Sequence, residues 1–151
     1  MKLKPYIIFD VDGTISDPSH RIQFAQAKEW DEFQRLAHLD PVIVNIADLM
    51  RKLNWSANII LLTGRNEKYR HVTEQWLRDA ELDYCYEELL MRPDEDYRPD
   101  HEMKIDLLEK RFGSKEGVLR NVWFAIDDRN SVVEALRNYG LTVLQPIEGA
   151  Y

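Results

Sequence analysis

Short apolar runs alternate with helix-period apolar stripes along this chain, and three of the runs stop on residues able to do chemistry. Tyr6-Ile7-Ile8-Phe9 halts at Asp10. Asn58 to Leu62 halts at Thr63-Gly64-Arg65, and Val122 to Ile126 halts at Asp127-Asp128. Apolar runs of this kind read as strands buried in a sheet. Between them stand stripes at three- and four-residue spacing. These are Ile43, Ile46, Ala47, Met50 and Leu53; then Tyr69, Val72, Trp76, Leu77 and Ala80; then Met103, Leu107, Leu108 and Phe112; then Val132, Val133, Leu136 and Tyr139. Such alternation predicts a parallel sheet covered by helices on both faces, with ligands at the carboxyl ends of its strands. Asp10, Thr63 and Asp127-Asp128 are therefore expected to converge on one site although they lie far apart in sequence.

The boundaries follow from local chemistry. Asp40-Pro41 predicts the start of the first striped helix, with Asp40 as N-cap and Pro41 in the first position. Gly113 and Gly140 predict the ends of the last two. Tyr84–Met91 and Leu141–Leu144 are further strand candidates. Ser16–Leu39 fits the alternation least and reads as a helical or irregular flap within a single domain spanning 1–151. Trp55, Trp76 and Trp123 lie in or beside apolar runs and are expected in the core. Trp30, in the flap, is expected to pack, with stacking on a base as its other use.

The formal charge of −7, from 20 Lys+Arg against 27 Asp+Glu, repels polyanions. It argues against extended duplex binding, which needs a cation at each phosphate contact, while leaving room for a local basic pocket. The one cysteine, Cys85, has no internal partner, which suits a reducing cytoplasm. The first apolar run is too short for a signal peptide, and no stretch approaches a membrane span.

Asp10-Val11-Asp12-Gly13-Thr14 is the most specific signal. Two carboxylates two residues apart, just past a buried strand, can divide the work of phosphoryl transfer. Asp10 would attack phosphorus and form an aspartyl-phosphate. Asp12 would protonate the leaving oxygen and later deprotonate the attacking water. Gly13 lets the backbone turn tightly beside a phosphate. The plainer reading is an Asp-Gly turn.

This pentapeptide resembles motif I of the haloacid-dehalogenase (HAD) superfamily. Thr63 resembles motif II, whose hydroxyl binds the transferring phosphoryl group, and Asp127-Asp128 resembles motif IV, whose acids help hold Mg²⁺. Asp10, Asp12, Asp127 and Asp128 are the metal set this implies, and hard oxygen ligands suit that ion. Lys104 is the candidate for the motif III cation, which neutralises Asp10 and the phosphate. Helix capping by Asp127-Asp128 and a surface pair between Lys104 and Asp100 are the plainer roles.

The chain is further similar to the 3′-phosphatase domain of bacteriophage polynucleotide kinase–phosphatase. Ala125-Ile126-Asp127-Asp128-Arg129 with Val132-Val133-Glu134 carries the likeness at one end. An arginine eleven residues after Asp10, here Arg21, the Thr63-Gly64-Arg65 turn, and the series Arg92, Arg98, Asp100, Lys104 carry it elsewhere. The resemblance implies an HAD-like three-layer α/β sandwich and removal of a 3′-phosphate from a nucleic-acid end or a 3′-nucleotide. It implies that Gly64, Arg65, Arg21, Arg92 and Arg98 bind substrate and that Asp100 organises the arginine-rich loop. Solvated surface charge is the plainer role for the arginines, and capping for Asp100. The stretches from Asp12 to Thr63 and from Thr63 to Lys104 are too short for a large cap domain. No Gly-x-x-x-x-Gly-Lys-Ser/Thr sequence occurs, so phosphatase activity alone is expected. A phosphatase of free nucleotides or other small esters shares the whole catalytic set. A catalytically silent HAD-fold binding module is the alternative of another class.

Overall fold

The computed structural model describes residues 3–151. Five parallel strands form one sheet: β1 (Tyr6–Phe9), β2 (Asn58–Asn66), β3 (Glu88–Arg92), β4 (Val122–Ile126) and β5 (Val143–Leu144), in the order β3-β2-β1-β4-β5. The helices are α1 (Ile22–Gln26), α2 (Trp30–Arg35), α3 (Val44–Leu53), α4 (Arg70–Asp79), α5 (Asp100–Phe112), α6 (Lys115–Asn121) and α7 (Asn130–Tyr139). Successive strand residues face opposite sides, so each strand serves two cores. Ile7, Phe9, Ile59 and Leu61 pack with Ala47 and Met50 of α3 and with Trp76 and Leu77 of α4. Ile8, Ile60, Leu62 and Ala125 pack with Leu108 of α5, Val118 of α6 and Val132, Val133 and Leu136 of α7. The result is the expected three-layer α/β sandwich. Among the described residues no separate cap domain is inserted, and no helix is long and apolar enough to cross a membrane.

Several expectations are corrected. Asp40 does not cap a helix. Asp40 to Ile43 run extended beside the turn after β1, with Asp17 N–H donating to Pro41 O and Ile43 N–H to Ile15 O, and α3 begins only at Val44. A residue before proline is pushed from the helical region, which helps hold Asp40 extended. Trp55 and Trp123 are not core: they are 83% and 56% exposed. Trp55 sits in the turn after α3. Trp123 is the extra residue of a bulge, since Tyr6 pairs with Val122 and Ile7 with Phe124. An unpaired bulge residue is turned away from the ladder. Trp76 is buried, as expected.

The strand expected over Tyr84–Met91 starts at Glu88, and the last strand is only Val143–Leu144. Helix α6, unforeseen, is capped by Ser114 accepting from Gly117 N–H. Ser16–Leu39 folds as α1 and α2 between two 3₁₀ turns, Ser19–Arg21 and Leu36–Leu39. Trp30 lies edge-on to Phe33 and is half exposed.

Candidate active site

The site starts where β1 ends. Asp10 N–H still donates to Ile126 O at 2.9 Å, holding its backbone to β4. The chain then doubles back, and Val11 O accepts from Thr14, Ile15 and Ser16 N–H at 3.0–3.1 Å. Gly13 sits at φ +82°, a left-handed conformation, and a Cβ there would overlap the Asp128 carboxylate and the Tyr151 hydroxyl. Glycine meets both demands.

Asp10, Asp127 and Asp128 meet as expected, each offering one oxygen within 4.8 Å of the others, all three buried. Lys104, the fifth residue of α5, points its ammonium into them. It donates to Asp10 Oδ1 and Asp127 Oδ2, each at 2.8 Å, and lies 3.6 Å from Asp100. It is buried rather than paired at the surface. Three carboxylates and one ammonium leave a strong negative excess. Burial and the Asp127 carboxylate push Asp10 well above the usual carboxylate range, with Lys104 opposing and Asp128 adding. Burial raises Asp127 too, against Lys104. Lys104, which burial alone would lower, is held well above its ordinary value by Asp10, Asp127 and Asp100. An all-oxygen, anion-rich set of this kind fits a hard divalent cation such as Mg²⁺. Thr14 Oγ1 steadies it, donating to Asp10 Oδ2 at 3.2 Å with Asp128 Oδ1 at 3.5 Å.

Asp12 stands apart from this triad. Its carboxylate accepts from Arg65 NH2 (2.7 Å) and Nε (3.1 Å), Arg21 NH2 (2.5 Å) and Ser16 Oγ (3.1 Å). The metal set read from the sequence included Asp12, but its side chain faces the arginines. Burial works to raise its pKa, yet Arg65 and Arg21 outweigh that and hold it well below the usual carboxylate range.

Arg21 and Arg65 were expected to meet a phosphate or nucleotide. Both are instead buried against carboxylates. Arg21 also bonds Asp40 and Phe33 O and lies over the Phe33 ring at 4.1 Å. Arg65 also bonds Thr73 Oγ1, Ser16 Oγ and Asp40. Two buried guanidiniums need two anions beside them, and the half-buried Asp12 and the buried Asp40 supply them. His20 Nε2 lies 2.8 Å from Asp40 Oδ1 at the edge of this network.

The register Phe9↔Leu61 brings Thr63 beside the Asp10–Val11 step. Its Oγ1 accepts from Arg65 N–H at 3.1 Å, which leaves its own O–H free to donate. The strand does not stop at Leu62 as read from sequence but continues to Asn66. Gly64 packs against Asp100 so closely that a Cβ would overlap that carboxylate. Arg92 ties the parts together. It donates to Gly64 O (3.2 Å), Asp100 Oδ1 (2.9 Å) and the carbonyls of Asp96 (3.1 Å) and Arg98 (2.8 Å). Asp100 is the first residue of α5 and holds Arg92, Arg129 and Lys104; burial opposes them, but the three cations keep its pKa low. Arg98 points outward, pairing with Asp96 and Asp106.

Sequence reasoning missed Thr14, Ser16, Asp40, Thr73 and Tyr151. Tyr151 OH donates to Asp128 Oδ2, Arg129 Nε donates to Tyr151 O at 2.7 Å, and Gly149 N–H donates to Asp128 O at 2.8 Å, so the last residues fold back onto this edge. The Tyr151 hydroxyl is driven upward in pKa by burial and by Asp128. Thr14 and Ser16, on either side of the buried Ile15 just past the Asp-Gly turn, were the one linear hint.

The profile of the polynucleotide kinase PNKP phosphatase-domain family matches residues 4–151. A structure of the Pnkp1/Rnl/Hen1 RNA repair complex aligns over 98% of this chain at 29% identity and TM-score 0.81. This chain spans 44% of that one. A second structure of the Pnkp1/Rnl/Hen1 complex aligns over 100% at the same identity and score, and this chain spans 48% of it. The putative HAD-hydrolase YfnB from Bacillus subtilis, bound to magnesium, shares the fold at 14% identity and TM-score 0.67, over 97% of this chain and 94% of its own. No curated protein is a significant match.

Proposed function

The chain belongs to the polynucleotide kinase PNKP phosphatase-domain family, and on that footing we propose that it is a Mg²⁺-dependent phosphomonoester hydrolase. Its proposed substrate is the 3′-phosphate of a nucleic-acid end or of a 3′-nucleotide. The observation that carries this reading is the placement of Asp10, buried beside Asp127 and Asp128 with the Lys104 ammonium on one oxygen. Bound to Asp10, Asp127 and Asp128, Mg²⁺ would offset the negative charge of the phosphate and of these carboxylates.

In the first step an Asp10 carboxylate oxygen attacks phosphorus and the bond to the leaving oxygen breaks. That oxygen takes a proton from Asp12. Lys104 and the Thr63 hydroxyl are suited to stabilise the charge on the transferring group. In the second step Asp12 takes a proton from water, the water oxygen attacks phosphorus, and Asp10 is released with inorganic phosphate. Arg21 and Arg65 favour the Asp12 anion, whereas a phosphate dianion arriving nearby favours its protonated form. Arg98 and Arg129, the more exposed guanidiniums on this edge, are proposed to meet the rest of the substrate, with Arg92 bracing the loop that carries Arg98 and Asp100 pairing with Arg129. The likeness to a chain found in an RNA repair complex supports a polynucleotide end as the substrate. The absence of an inserted cap domain among the described residues supports it further.

The test is phosphate release, with and without EDTA, from a 3′-phosphorylated oligonucleotide, 3′-mononucleotides, 5′-mononucleotides and sugar phosphates. Metal-dependent release, fastest from the 3′-phosphorylated substrates, is expected. Preference for 5′-nucleotides or sugar phosphates would sink the 3′ assignment.

A further inference from the structure

Asp40 belongs to neither the acidic triad nor the nucleophile turn, yet it holds the two arginines that hold Asp12. Its side chain is fully enclosed. It accepts from Arg21 Nε (2.7 Å) and NH2 (2.6 Å) and from Arg65 NH2 (3.1 Å), with His20 Nε2 at 2.8 Å. Its backbone carbonyl is itself pinned, accepting from the Trp76 indole at 2.8 Å.

The grip on Asp12 is lopsided. Oδ1 accepts from Ser16 Oγ, Arg21 NH2, Arg65 Nε and Arg65 NH2, while Oδ2 has one contact, Arg65 Nε at 3.2 Å. One oxygen is fixed and the other is left for a partner outside the network. With Asp12 alone between them, two buried guanidiniums would carry an uncompensated charge. They would separate or draw in water, and the Asp12 carboxylate would lose its single orientation. Asp40 closes that charge balance and fixes both forks at once.

We propose that Asp40 is a positioning residue for proton transfer: by locking Arg21 and Arg65 onto Asp12 Oδ1, it aims Asp12 Oδ2 at the leaving-group oxygen. The inference rests on the phosphatase reading above, in which Asp12 donates that proton. In the first step, a misdirected donor slows only the release of leaving groups whose oxygen needs the proton.

The experiment is single-turnover release of the leaving group from two esters, thymidine 3′-phosphate and p-nitrophenyl phosphate. The thymidine alkoxide must be protonated as it departs, whereas p-nitrophenolate leaves as the anion. Asp40→Asn is expected to slow thymidine release by about 10²-fold, within the span of general acid catalysis, and to slow p-nitrophenolate release far less. If Asp40→Asn does not fold, as judged by thermal unfolding, Asp40→Glu serves. It keeps the charge but displaces both forks, and the same selective loss is expected. Equal slowing on both esters in the variant that folds, or no slowing on thymidine 3′-phosphate, would overturn the proposal. A wild-type protein that releases neither leaving group overturns the phosphatase reading itself, and the inference with it.

Discussion

Lys104 Nζ and Asp10 Oδ1 stand 2.8 Å apart across 94 residues of chain, with both side chains enclosed. The lysine is held there by the carboxylates it faces. Lys104→Met is expected to lower turnover by about 10²–10³-fold, the usual cost of losing one charge-stabilising donor. It should also destabilise the metal-free protein by about 3–5 kcal/mol, because buried carboxylates lose their only protein cation among the described residues. Steady-state kinetics and urea unfolding check the two halves.

Asp10→Asn keeps the shape of the side chain and removes the nucleophile. Hydrolysis of p-nitrophenyl phosphate is expected to fall by about 10³-fold or more. Because Asp10 is crowded by Asp127 and Asp128, the metal-free variant should melt no earlier than wild type. Activity equal to wild type would exclude covalent catalysis at Asp10.

The raised pKa of Asp10 sets the sign of a pH effect. The metal-free fold binds this proton more tightly than the unfolded chain does. That contribution to stability is full below the ordinary carboxylate range and is lost as pH rises through the folded-state pKa. Mg²⁺ competes with the same proton. The rise in Tm on adding Mg²⁺ should therefore be small at pH 4 to 5 and larger at pH 7 to 8, as calorimetry can read. A larger shift at the acid end would contradict the metal set.

Gly64 is expected to tolerate no side chain. In Gly64→Ala the new methyl meets Asp100, so Asp100 and Arg92 must shift, and with them the neighbourhood of Lys104. A displacement on the order of 1 Å costs roughly 10²-fold in rate. The loss should appear in kcat while the far-UV circular dichroism stays that of wild type.

What the sequence made legible is what periodicity carries. Alternating runs and stripes located the strands and the longer helices, because a buried strand and an amphipathic helix each repeat their burial at a fixed interval. Asp10 and Asp127-Asp128 were visible because each stands at a strand end. Asp40 was not, since an Asp-Pro pair looks the same before a helix as in the extended segment it forms here. Arg21 and Arg65 were noticed as charges, but nothing linear says that a cation will turn inward to a carboxylate. Trp123 was misplaced for a local reason: a bulge changes which way a strand residue points without changing the composition around it.

The central place of β1 has a consequence for how the molecule is made. This strand is among the first parts of the domain to leave the ribosome. Its ladder partners are β2, met through Asn58, and β4, met through Val122. During vectorial synthesis an apolar segment carrying the nucleophile must wait for Asn58–Asn66 to cover one edge, and its other edge stays open until Val122–Ile126 has emerged. Long-range parallel pairing is intrinsically slow and exposes such segments to aggregation, so refolding from dilute solution should recover more activity than refolding at high concentration.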